Sequence, residues 1–148
     1  AYAGQPQQFR GETGAQSSIV PCLDAGLGIT HAPDPLTVYL QEMREYMPPR
    51  HQAFLRAIEQ TTHADGRPLL SGYIRDRKSH NPSLWNAYGT CVDLLAQFRE
   101  IHVGYADSYI HRQHQVHASN PSAVGTGGTP FMAYLQKHLD ETRRAIVD

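Results

Sequence analysis

His102 shares one helical side with Leu95, Phe98, Arg99, Ala106 and Tyr109, because offsets of three, four and seven residues bring side chains round to the same face. An imidazole on an apolar wall can give haem iron its axial nitrogen, and a guanidinium one turn away can pair with a haem propionate. The same pattern also fits a core histidine that has found a hydrogen-bond partner, the commoner fate of a lone His on an apolar face. Asp24 is a second charge set among apolar residues, with Ile19, Leu23 and Leu27 around it on a short helix. A buried charge needs a partner or a ligand. Asp24 and Arg99 are therefore a candidate pair, either a purely structural ion pair or one that holds Arg99 ready for a ligand.

Two Gly/Thr segments, Gly11-Glu12-Thr13-Gly14 and Gly125-Thr126-Gly127-Gly128-Thr129, can bring backbone amides and hydroxyls close to a small planar ligand, or serve simply as linkers. The second is no phosphate loop, since no Lys follows its glycines and no strand precedes it. His111, His114 and His117 span more than a helical turn with no Cys nearby, which reads as a solvated loop rather than a metal site. No Gly-x-Ser-x-Gly elbow occurs, and Cys91 reads as a small buried hydrophobe.

The elements that must position these groups read as helices. Ser17 or Ser18 can cap a first helix that ends near Gly28, and residues 35–47 are amphipathic, with Leu36, Tyr39, Leu40, Met43 and Met47 on one face. Pro48 and Pro49 stop that helix and open another, in which Phe54, Leu55 and Ile58 are the apolar contacts. Residues 60–81 read as a loop, with a short ordered turn near 69–74. Asn81 and Pro82 start the longest helix, which runs to about residue 111 and should be the backbone of the fold. After an irregular segment, Thr129 and Pro130 open a last helix with Phe131, Leu135 and Leu139 on its buried side. No period-two strand run appears, so the fold class is all-α, a helical domain built round one long helix that carries His102.

The totals narrow the function. In 148 residues, hydrophobic side chains make up 40%, charged ones 18%, and the formal net charge is -1. Near-neutrality without a basic block argues against nucleic acid or an anionic membrane as partner, and no apolar run approaches the roughly 20 residues a transmembrane helix needs. Two cysteines and no recognisable secretory signal point to a reducing, cytoplasmic setting. The opening at Ala1, without Met, reads as an extended linker and as either Met removal or a cut end.

Taken in order, several segments resemble the C-terminal, haem-ligand half of indoleamine 2,3-dioxygenases. They are Gly14-Ala15-Gln16-Ser17-Ser18 leading to Cys22-Leu23-Asp24 and Leu27-Gly28-Ile29; the run from Tyr39 through Met47-Pro48-Pro49-Arg50-His51; Ala87-Tyr88 with Cys91-Val92; Phe98-Arg99-Glu100-Ile101-His102; and Gly125-Thr126-Gly127-Gly128-Thr129. The resemblance spans nearly the whole chain. It implies that His102 is the proximal ligand of the iron of haem b, that Arg99 contacts a propionate and that Asp24 supports Arg99. It also implies that Thr126, with Gly125 and Gly127, and the loop around Thr13 and Gly14 lie near the substrate; no catalytic residue is assigned beyond the haem.

The reaction so implied inserts both atoms of dioxygen across the C2 to C3 bond of the indole of tryptophan, giving N-formylkynurenine. The chain departs from the family pattern at Glu12, where a small residue is usual, and at Val20, where an aromatic one is common. Family members also carry an N-terminal portion that supplies much of the distal pocket. Residues 1–148 are thus expected to be the C-terminal part of a haem domain completed by a separate N-terminal segment or chain. The alternatives are a related haem enzyme that acts on another aromatic or inserts one oxygen atom, and a non-catalytic haem-binding module.

Overall fold

The computed structural model describes residues 19–111 and 132–145. These form six α-helices: α1 Ile19–Leu27, α2 Pro35–Glu42, α3 Pro49–Gln60, α4 Leu69–Asp76, α5 Pro82–Ala106 and α6 Met132–Ala145. No strand occurs among the described residues, only an isolated bridge between Thr62 and Pro68, and the all-α class stands. None of these helices is long and apolar enough to cross a membrane.

The start of α5 follows from its first residues. The Asn81 side chain accepts a hydrogen bond from the Leu84 N–H at 3.0 Å, and Pro82 at the first helical position has no N–H to leave unsatisfied. The helix then runs 25 residues, about 37 Å at 1.5 Å per residue, and Asp107–His111 continue it as a wider π-type turn. Replacing Asn81 by Ala is expected to lower stability by about 1 kcal/mol, while Asp at the same position preserves it. Urea midpoints of the two variants check this, and an unchanged midpoint for Ala would show that the cap contributes nothing.

Two of the expected elements need correction. The amphipathic segment 35–47 is not one α-helix: α2 ends at Glu42 and Met43–Tyr46 tighten into a 3-10 turn, closed by the Met47 N–H to the Arg44 carbonyl at 3.0 Å. Pro48 disfavours helical geometry at the residue before it, so the segment must leave the α conformation early. The second correction is α4, an eight-residue helix where only a short turn was expected. A tight turn precedes it, with Gly66 at φ 80° and the His63 N–H bonded to the Arg67 carbonyl at 2.7 Å. Gly72 weakened the helical signal, yet a Cβ there would lie 2.5 Å from the Cβ of His63. The glycine serves close packing of this turn on the helix.

The core divides into two apolar clusters. One joins Ile29, Ile74, Tyr88, Val92 and Leu95, with Ala145 against it; the other joins Leu40, Ala106, Tyr134 and Leu135, with Val103 against it. Ascending α5 from Tyr88 to Ala106 therefore means descending α6 from Ala145 to Tyr134, so the two helices pack antiparallel. Phe54, expected as a buried contact of α3, is exposed, and Leu55 takes the buried place.

Candidate functional site

Between the two apolar clusters lies a buried polar layer. Asp24 of α1, Arg99 of α5, and His138 and Thr142 of α6 are each no more than 6% exposed. Nη2 of Arg99 donates to Oδ2 of Asp24 at 2.7 Å, and Nη1 donates to the Thr142 hydroxyl. The Thr142 hydroxyl in turn donates a hydrogen bond to the His138 carbonyl at 2.7 Å. The pair anticipated between Asp24 and Arg99 is thus present, and it ties the helix of His102 to α1.

Sequence spacing did not mark four members of this layer: His31, His138, Glu141 and Thr142. His31 leaves the loop after α1 and spans two carboxylates, with Nε2 3.0 Å from Oδ2 of Asp24 and Nδ1 2.6 Å from Oε2 of Glu141. The His138 ring stacks on it at 3.8 Å between centroids and 15° between planes. The available clue was periodicity, since His138 and Thr142 fall three and seven residues after Leu135 and so share its buried face.

Electrostatics follow from this packing. Burial alone would raise the pKa of Asp24, but the close contacts of His31 and Arg99, with their charges, outweigh it and hold the carboxyl below its ordinary range. Burial, reinforced by the positive charges of His31 and Arg99, pushes His138 down to about 4. An unfolded His titrates near 6.5, so between that pH and about 4 the unfolded chain binds the extra proton. The stabilising contribution of neutral His138 is complete above about pH 6.5 and is lost as pH falls towards 4. We expect a loss on the order of 2 kcal/mol between pH 7 and 4, allowing for solvent screening. Urea midpoints at pH 7, 5.5 and 4 measure it; His138→Leu should flatten the slope, and an equally steep slope in that variant would contradict the assignment.

Ligand atoms of Asp24, His31 and His138 lie within 4.8 Å of one another. Stacked rings, however, hold their in-plane lone pairs parallel rather than aimed at one point, and Asp24 already neutralises Arg99. The cluster fits an ion-pair network better than a metal centre.

His102 lies at the edge of this layer. Of the six residues expected to share one face of α5, Leu95, Arg99 and Ala106 are buried, Phe98 and Tyr109 are exposed, and His102 is half-buried between the two groups. The expected stripe is therefore split, because α6 covers only its inner part. The Phe98 ring lies 6.0 Å from the His102 ring. From Phe98 an apolar groove of about 1350 Å³ runs along α5 past Leu94 and Cys91, walled by α1, α3 and α4. Cys91, expected to be buried, is exposed and lines this groove. Thr13, Gly14, Gly125, Thr126 and Gly127, together with the histidines at 114 and 117, lie outside the described residues.

Comparison with known proteins adds a relationship to this geometry. A family model described as "Indoleamine 2,3-dioxygenase" matches residues 1–145. The chain is 35% identical over 153 residues to Indoleamine 2,3-dioxygenase 1 of Mus musculus, a match that covers 96% of this chain and 36% of that protein. It is 30% identical over 173 residues to Indoleamine 2,3-dioxygenase of Saccharomyces cerevisiae, covering 94% and 37%. A 6-hydroxytryptophan 2,3-dioxygenase of Fusarium equiseti is 38% identical over 110 residues, covering 72% of this chain and 24% of the relative. The chain spans little more than a third of the length of the first two relatives. With the model matched along nearly its whole length, the chain belongs to the indoleamine 2,3-dioxygenase family.

Proposed function

We propose that this chain is the haem-ligating part of a haem-dependent dioxygenase that opens the indole ring of tryptophan or a close relative of it. The observation that carries the reading is the setting of His102: a half-buried imidazole beside exposed aromatic rings, one helical turn from a buried, carboxylate-held guanidinium. That donor set fits haem, which needs one nitrogen ligand, apolar surface for its macrocycle and cations for its propionates.

In this reading His102 binds the iron, Arg99 holds a propionate and Asp24 holds Arg99. Asp24 and Thr142 occupy two of the five N–H donors of the guanidinium, which fixes the plane of the fork. Bound haem would supply the activation of dioxygen. Thr126, with Gly125 and Gly127, and the loop of Thr13 and Gly14 would orient the indole and keep water from it. The product is then of the N-formylkynurenine type.

We propose further that an N-terminal segment or chain contributes to the site. Support comes from the share of each relative that the chain matches and from the apolar groove, whose walls include Leu70, Leu94 and Phe98, all about half exposed. A ring-substituted indole is the second reading for the substrate, favoured by the hydroxytryptophan named for the Fusarium relative.

Turnover of L-tryptophan under ¹⁸O-labelled dioxygen by the haem-loaded protein tests the reaction. Two labelled oxygens in one ring-opened product are expected. A single labelled oxygen would point to monooxygenation, and stable haem with no indole consumed would point to a binding module.

A further inference from the structure

We propose that His31 is a positioning residue: bridged between Asp24 and Glu141, it sets how strongly Asp24 holds Arg99, and through Arg99 how firmly the protein keeps the carboxylate of its cofactor. The inference rests on the haem reading above and extends it to a residue outside the haem-ligand helix.

The geometry is a continuous line of charge. Glu141, His31, Asp24 and Arg99 follow one another at 2.6, 3.0 and 2.7 Å, drawn in turn from α6, the loop after α1, α1 and α5. Oδ2 of Asp24 faces both His31, as an ion-pair contact, and Arg99, as a hydrogen-bonded one; Oδ1 of Asp24 and Nε2 of His31 are buried without a hydrogen-bond partner. Whatever His31 does is therefore felt by Arg99 through one shared oxygen. Both carboxyls sit below their ordinary pKa range and are ionised at neutral pH. Two carboxylates facing the two nitrogens of one imidazole are both attracted only when each nitrogen carries a proton. In that state Asp24, Glu141, Arg99 and His31 sum to zero charge.

Without a cation at His31 the two carboxylates face each other across the gap with Arg99 alone to offset them, and the layer gains a net negative charge. Asp24 then shifts its full charge onto Arg99, and the guanidinium offers less positive field to an outside carboxylate. The other groups facing His31 leave that balance unchanged. His138 stacks on it with its own proton affinity pushed down, Ala32 donates its N–H to Glu141, and Lys137 and Asp34 pair with each other at 3.3 Å beside it. Tyr134 packs against the far ring, 4.1 Å from His138.

The experiment follows haem release to an excess of apomyoglobin at pH 7, in the haem-loaded protein and in His31→Gln and His31→Lys. His31→Gln should release haem about threefold faster than the wild type, the size expected for one unit charge acting across a partly screened layer. His31→Lys, which returns a cation of different shape, should restore most of the wild-type rate. A merely structural His31 would be impaired equally by both replacements. A second readout needs no haem: the ¹⁵N signals of the Arg99 guanidinium in the haem-free protein should shift in His31→Gln and return towards their wild-type positions in His31→Lys. Unchanged release in His31→Gln, or equally fast release in both variants, overturns this inference and leaves the haem reading standing. Failure of the wild type to take up haem overturns both.

Discussion

His102→Ala is expected to lose specific haem binding by at least about a hundredfold and dioxygenase activity with it, since the side chain supplies the only bond from protein to iron that this reading contains. The fold should survive. His102 is half-buried rather than part of either apolar cluster, and α5 is held by Val92, Leu95 and Ala106 on either side of it. Ala is also the best helix former, so the backbone gains rather than loses propensity. Circular dichroism should therefore match the wild type while the Soret band collapses, and added imidazole should restore part of that band. A variant that unfolds, or one that keeps a wild-type Soret band, would contradict the assignment.

The second large effect is on stability. Asp24→Ala leaves Arg99, only 5% exposed, without its carboxylate, and an unpaired buried charge costs about 3–5 kcal/mol. The double replacement Asp24→Ala with Arg99→Met should cost clearly less than the sum of the single ones, because no orphaned charge remains. A double-mutant cycle from urea denaturation measures the coupling. A loss under about 1 kcal/mol for Asp24→Ala would show that water or another group replaces the carboxylate.

Much of this architecture could be read from residue order. Asn81 and Pro82 announced the start of α5, Pro48 and Pro49 the break before α3, and the apolar spacing of Leu135 and Leu139 the buried side of α6. Asp24 and Arg99 declared themselves as charges on apolar faces, which is why their pairing could be anticipated across 75 residues. The helix α4 was hidden by Gly72, whose role is close approach to His63 and not helix breaking. His31 was hidden for another reason: it stands in a loop, where no periodicity marks a buried side, and its partners Asp24 and Glu141 are brought to it by two different helices. The division of the His102 stripe was likewise beyond periodicity, because offsets define a face but not how much of it a neighbouring helix covers.

The proposed haem site stands or falls on a bond between the His102 imidazole and the iron. Resonance Raman spectra of the ferrous protein, prepared with natural and with ¹⁵N-labelled histidine, test it most directly. An iron–nitrogen stretching band should appear in the wild type, shift on labelling and vanish in His102→Ala. A band that persists in that variant would place the ligand elsewhere, and a haem-loaded wild type without any such band would remove the claim altogether.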